Sequence, residues 1–145
     1  MGQENNTIKR TIKSPKLYFF DTGLAVYLTK WESIGSLSVG AMSGALLENY
    51  VVAEILKSFR NSGREPFLAY YRDKDRREID LIIERDGKVF PIEIKRSVSP
   101  SANLVKAFKA LDSGPWQRST GAIICLAESL GSMGKDALIV PVSYL

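Results

Sequence analysis

Asp80, Glu93 and Lys95 are the residues of this chain whose types and spacing can do chemistry. They lie within EIDLIIERDGKVFPIEIK, residues 78–95, where apolar and polar side chains alternate on both sides of Asp86-Gly87. Alternation interrupted by Asp-Gly predicts a β-hairpin closed by a two-residue type I′ turn. With Arg85 and Lys88 flanking that turn, Asp80 falls opposite Glu93 and Glu78 falls opposite Lys95. Asp80, Glu93 and Lys95 then share one face. The other face carries Ile79, Leu81, Ile83, Phe90, Ile92 and Ile94, a continuous apolar surface for a core. Two carboxylates opposed at about 4 Å repel by roughly 4 kcal/mol at an effective dielectric of about 20. A compensating cation, a shared proton or ample solvent must offset that repulsion. A divalent metal beside a lysine is the solution with chemical consequences. The plainer solution is a solvated, charged strand surface, common on antiparallel sheets. Against it, Asp is depleted in strand interiors, and Asp80 sits between Ile79 and Leu81.

Composition narrows the chemistry further. The 145 residues include no histidine and one cysteine. That excludes a Ser-His-Asp triad, a Cys-His pair and His-ligated zinc or iron within this chain. A metal here would take oxygen ligands, which favours Mg²⁺, Mn²⁺ or Ca²⁺. Cys125, in the apolar run GAIICLA, reads as packing, and the lack of a disulfide partner suits a reducing, cytoplasmic setting. A net charge of +4 is compatible with a polyanionic partner. No apolar run is long enough for a membrane span, and no secretory signal is expected.

The elements that must position these side chains follow from pattern. Residues 1–13 read as a polar N-terminal tail, and residues 14–145 as a single domain. Lys16 to Phe20 reads as a short extended run, with Asp21 capping a helix to Leu28 and residues 31–40 forming a loop. A strong helix is expected from Ser43 or Gly44 to about Arg60, stopped by Asn61-Ser62-Gly63. A strand at Phe67 to Arg72 and a charged loop, DKDRR, lead into the hairpin. A second amphipathic helix begins at Ser99-Pro100, with Leu104, Val105, Phe108 and Leu111 as its buried stripe. Apolar strands follow at Gly121 to Ala127 and Ala137 to Val142. This order predicts an α/β architecture, a mixed β-sheet flanked by helices, with a parallel crossover through the second helix.

The first strong helix adds a third acid. Glu48 shares a helical stripe with Val51, Val52, Ile55 and Phe59. A carboxylate at the margin of an apolar face must be paired, protonated or bound to a metal. Either a neighbouring basic or backbone group satisfies it, or it contributes to a site.

Glu48, Asp80 and Glu93-x-Lys95, in the order helix, strand, strand, resemble the PD-(D/E)XK nuclease superfamily, with Ile79 where that motif has proline. The resemblance implies that Asp80 and Glu93 bind a divalent ion, Mg²⁺ or Mn²⁺. It implies that Lys95 orients the attacking water and stabilises developing phosphorane charge, and that Glu48 assists from the helix.

A closer likeness spans nearly the whole chain. KSPKLYFFDTGLAVYL, GALLENYVVAEILK, YYRDKDRREIDLII, FPIEIKRS and the ending ALIVPVSYL resemble the domain of unknown function at the C-terminus of many prokaryotic AAA+-like ATPases. That likeness implies a restriction-endonuclease-like fold and an upstream ATPase module as partner. The chain itself has no G-x-x-x-x-G-K-[ST] loop. Gly131-Ser132-Met133-Gly134-Lys135 lacks the spacing and the final hydroxyl and reads as a turn, so no ATP site is expected. We therefore read the chain as a C-terminal fragment of a longer ATPase.

Two functions follow as expectations. One is a metal-dependent hydrolase of DNA phosphodiesters. The other is a non-catalytic accessory module that binds DNA or protein. Arg72, Lys74, Arg76, Arg77 and Arg96 are expected near one edge of the site, either as phosphate contacts or as a solvated charged loop.

Overall fold

Val51, Val52, Ala53 and Ile55 recur on one side of a helical period, and they are buried in α1 (Ser43–Asn61). The helix stops where Gly63 turns left-handed at φ 71°, letting the Arg64 amide fold back onto the Phe59 carbonyl at 3.0 Å. The computed structural model describes residues 16–21, 23 and 42–145. The expected tail at 1–13, the helix running to Leu28 and the loop at 31–40 lie outside the described residues.

Strand β1 (Phe67–Arg72) has the predicted bounds, and the hairpin follows as β2 (Glu78–Arg85) and β3 (Lys88–Ile94). Its register is the expected one, with Arg85 opposite Lys88 and Leu81 opposite Ile92. Asp86 and Gly87 both have positive φ, at 53° and 73°, the geometry that a type I′ turn requires. Short β4 (Gln117–Arg118), β5 (Gly121–Cys125), β6 (Gly131–Met133) and β7 (Ala137–Pro141) complete a mixed sheet in the order β1-β2-β3-β5-β7-β6. Its centre, β3-β5-β7, is parallel, while its flanks are antiparallel. The fold is therefore α/β around a mixed seven-stranded sheet, with the parallel crossover in the predicted place.

Two of the expected elements need correction. Residues 131–133 form edge strand β6 against β7, and the turn begins only at Gly134, at φ 58°, and runs through Asp136. The second helix is a 3₁₀ helix (Ala102–Ser113), not an α-helix. Its buried residues are Val105, Phe108 and Leu111, one every third position, as three residues per turn require. Both sheet faces are covered, as a sheet flanked by helices requires. Val51, Val52 and Ile55 of α1 pack on Leu81, Ile92, Ile94 and Ile124. Val105, Phe108 and Leu111 pack on Ile79, Ile82, Val89 and Ile123.

Ile79 thus leaves the apolar face on which strict alternation puts it. The cause is a β-bulge in β2. Between the pairs Ala69–Ile82 and Tyr71–Ile79, β1 advances two residues and β2 three. Asp80 and Leu81 together face Tyr70, and the extra residue turns Ile79 to the 3₁₀ side.

Gly121, where β5 begins, is the tightest point between these layers. A Cβ there would overlap the Pro91 carbonyl and lie 2.8 Å from Phe108 Cε2. Gly121→Ala is therefore expected to cost about 2–4 kcal/mol, at the upper end of overpacking penalties. Urea unfolding measures it, and a loss below about 1 kcal/mol would show that the layers relax freely.

Candidate functional site

The ladder between β2 and β3 runs from Arg85–Lys88 to Leu81–Ile92 and stops just short of Asp80 and Glu93. The two strands part there. β2 stays on β1 through the bulge, and β3 stays on β5, where Glu93 pairs with Ile123. Asp80 fills the opening: its Oδ2 accepts the Ile94 amide at 2.8 Å. A side chain thus takes over where the backbone ladder ends. The expected opposition of Glu78 and Lys95 does not form, because the β2–β3 ladder has already ended at Leu81–Ile92, and Glu78 keeps only its β1 partner, Arg72.

Glu93 is 6% exposed. Its Oε1 lies 3.1 Å from the Lys95 ammonium, while Oε2 is buried with no hydrogen-bond partner among the described residues. Burial, reinforced by the charge of Asp80, pushes the Glu93 carboxyl up to about 7. Asp80 is also raised, first by burial and then by Glu48, although the Ile94 amide opposes the shift. Burial would lower the Lys95 ammonium, but the Glu93 carboxylate outweighs it and the net direction is upward. The lysine side chain remains 45% exposed, so it joins a buried carboxylate to solvent.

Glu48 approaches from α1 and is already engaged. It accepts from the Tyr18 hydroxyl at 2.7 Å and the Lys16 ammonium at 3.2 Å. Lys16 also pairs with Glu78 at 2.9 Å and lies over the Tyr70 ring. Burial and the Glu48 hydrogen bond drive the Tyr18 hydroxyl strongly upward, so it remains a donor. Segment 16–20, which joins no strand of the sheet, is fastened by Asn49, whose side chain donates to the Phe19 carbonyl and accepts its amide. Sequence reasoning missed Lys16 and Tyr18. The available signal is their two-residue spacing in the extended run KLYFF, which puts an amine and a phenol on one side.

The basic residues divide. The Asp73 carboxylate pins the β1–β2 loop by accepting the amides of Asp75 and Arg77, each at 2.9 Å. The Arg77 side chain binds the same carboxylate at 2.6 Å, so it is a loop brace and not an uncommitted phosphate contact. Arg72, Lys74 and Arg76 are exposed at the same end of the sheet, and Arg96 is exposed while donating to Ser43 Oγ.

Among the described residues no three acids converge as a ready-made metal site. Asp80 and Glu93 offer two hard oxygen donors, one of them orphaned. That set fits a Mg²⁺-type ion completed by water or substrate phosphate.

The model of a family described as "Domain of unknown function (DUF4143)" matches residues 43–145. The chain belongs to this family. The match takes in Glu48, Asp80, Glu93 and Lys95, while Lys16 and Tyr18 lie ahead of it. Uncharacterized proteins of Mycobacterium bovis and Mycobacterium tuberculosis are each 32% identical over 96 residues, covering 66% of this chain. The chain spans about a fifth of the length of these curated relatives, with 21% of each covered. No solved structure matches the chain significantly.

The Glu93 geometry sets a pH dependence. Below about pH 4.5 the carboxyl is protonated folded and unfolded alike. Between there and about 7 the folded chain keeps a proton that the unfolded chain releases, so this contribution to stability is lost as pH rises through 7. In chelator, Glu93→Gln should flatten the decline and raise stability near pH 8 by on the order of 1–3 kcal/mol. Urea midpoints across pH measure this. A less stable Glu93→Gln at pH 8 would mean that the Lys95 pair outweighs the burial cost.

Proposed function

We propose that this domain is a divalent-metal-dependent hydrolase of DNA phosphodiester bonds, working with an AAA+-type ATPase module in a longer protein. The observation that carries the reading is the buried, unpartnered Glu93 Oε2 beside Asp80, with the half-exposed Lys95 ammonium on the other oxygen. A binding surface has no use for a desolvated carboxylate without a partner, since that arrangement is costly. The mixed sheet with a helix ahead of its hairpin supports a restriction-endonuclease-like fold. The relatives' greater length leaves room in such proteins for the ATPase module.

In this reading Asp80 and Glu93 would hold Mg²⁺ or Mn²⁺. When bound, the ion lowers the pKa of the attacking water and offsets charge building on the phosphate. Asp80 is held for that role by the Ile94 amide, which fixes one oxygen and with it the carboxylate plane. Lys95 orients the water and donates to phosphate oxygens as negative charge develops, from an ammonium that is anchored by Glu93 yet reachable from solvent. Glu48, held by Lys16 and Tyr18, sets the field around Asp80 from the helix side. Arg72, Lys74, Arg76 and Arg96 would contact the DNA backbone, which confers affinity without sequence preference.

The commitment of Glu48 to Lys16 and Tyr18 favours a second reading, in which the same surface is a non-cutting DNA- or protein-binding accessory module. A nuclease assay separates the two, using purified chain, supercoiled, linear and branched DNA, Mg²⁺ or Mn²⁺, and a chelator control. Cleavage should require the ion and disappear in Asp80→Asn and Glu93→Gln. Lys95→Ala should lower turnover by about 100-fold or more while leaving metal affinity near normal. Salt-sensitive DNA binding without cleavage under any divalent ion decides for the accessory module.

The backbone contacts are tested apart from the chemistry. Arg72→Ala with Lys74→Ala should weaken binding evenly across DNA sequences. The slope of log affinity against log salt should fall by roughly 0.9 per lost phosphate contact. An unchanged slope would place the DNA elsewhere on the molecule.

A further inference from the structure

Four carboxylates feel one another's charge around the point where β2 and β3 part: Glu48 from α1, Glu78 and Asp80 from β2, and Glu93 from β3. Two ammonium groups lie among them. Lys95 sits 3.1 Å from Glu93, and Lys16 bridges Glu78 at 2.9 Å and Glu48 at 3.2 Å. No other basic group among the described residues forms an ion pair with these four acids. With all four acids ionised, one negative charge is left uncompensated among the described residues in each half, Glu48–Glu78 with Lys16 and Asp80–Glu93 with Lys95. The unpartnered Oε2 belongs to Glu93, more than nine-tenths buried, so the oxygen still open to an ion lies at the Asp80–Glu93 end.

We propose that Lys16 is a built-in cation which fills the Glu48–Glu78 half of the acid cluster, so that the Asp80–Glu93 half takes a single divalent ion. This rests on the hydrolase reading for the use of that ion, but it can be tested without activity. Lys16 is a positioning residue here. Its ammonium holds Glu48 and Glu78 near each other without reaching the reacting atoms. The arrangement depends on the segment around it, because Lys16 enters from a segment outside the sheet. The Asn49 side chain grips both backbone polar groups of Phe19, three residues along. Tyr18 donates to the same oxygen, Glu48 Oε1, at 2.7 Å. An amine is well suited to this place. It satisfies two acids with one charge and, unlike a metal, it is not lost when free ion is scarce.

The experiment counts ions by calorimetric titration of Mn²⁺ into the metal-free chain and follows the thermal midpoint alongside. Wild type and Lys16→Arg should bind one ion per chain. Lys16→Met should bind a second, weaker ion, and Mn²⁺ should raise its melting temperature more than that of wild type. Both gains should vanish in Lys16→Met/Glu48→Gln. If Lys16→Met folds poorly, recovery of its melting transition on adding Mn²⁺, again dependent on Glu48, gives the same answer. A count that stays at one in Lys16→Met, with no extra Mn²⁺ stabilisation, overturns the proposal and leaves Lys16 as a fold anchor. Failure of the hydrolase reading looks different. Wild type would then bind no ion at the Asp80–Glu93 pair, while the Glu48-dependent ion still appeared in Lys16→Met.

Discussion

The hydrogen bond from the Ile94 amide to Asp80 is the constraint on which the site depends. Where β2 and β3 separate, the Ile94 amide needs an acceptor, because a buried backbone donor without a partner costs about as much as a lost hydrogen bond. The Asp80 carboxylate supplies it. One contact therefore satisfies the end of the ladder and fixes an acid in the opening. The bulge in β2 makes room for it, since the extra residue lets Ile79 stay in the 3₁₀-side core while Leu81 stays on the α1 side. Structural stability and placement of the acid are the same event.

Burial then decides the electrostatics. Glu93 has core residue Ile123 as its neighbour on β5. Desolvation there outweighs the help of Lys95, so the carboxyl is held up to about 7. In a low-dielectric setting an opposed acid and an adjacent amine matter far more than they would at the surface. Lys16 answers the same problem on the helix side, joining two acids of different elements through one ammonium. The fold thus carries its own partial neutralisation and leaves the Glu93 Oε2 without a partner among the described residues.

Much of this was legible in the residues. The Asp86-Gly87 turn and the register it sets were readable because both central residues need positive φ and because side-chain alternation has period two. Glu48, Asp80, Glu93 and Lys95 were found by type and spacing. The second helix shows where local reading failed. Leu104, Val105, Phe108 and Leu111 fit an α-helical stripe, yet exposure falls into a strict three-residue period and only Val105, Phe108 and Leu111 are buried. Both periods bring positions i and i+3 together, so a short apolar pattern does not separate them.

By itself the sequence determined the α1 helix, the hairpin with its turn, the later strands β5 and β7, and the residue types able to hold a hard cation. Each is a local property, written in propensity, turn chemistry and periodicity. Only the tertiary structure decided that Ile79 and Leu81 belong to different layers, that Arg77 is committed to Asp73, and that Lys16 and Tyr18 meet Glu48. It also decided which Glu93 oxygen is left without a partner. Those outcomes depend on where a ladder stops and which side chains are desolvated together. No window of sequence contains them, because the groups that compete for each charge and each hydrogen bond come from distant parts of the chain.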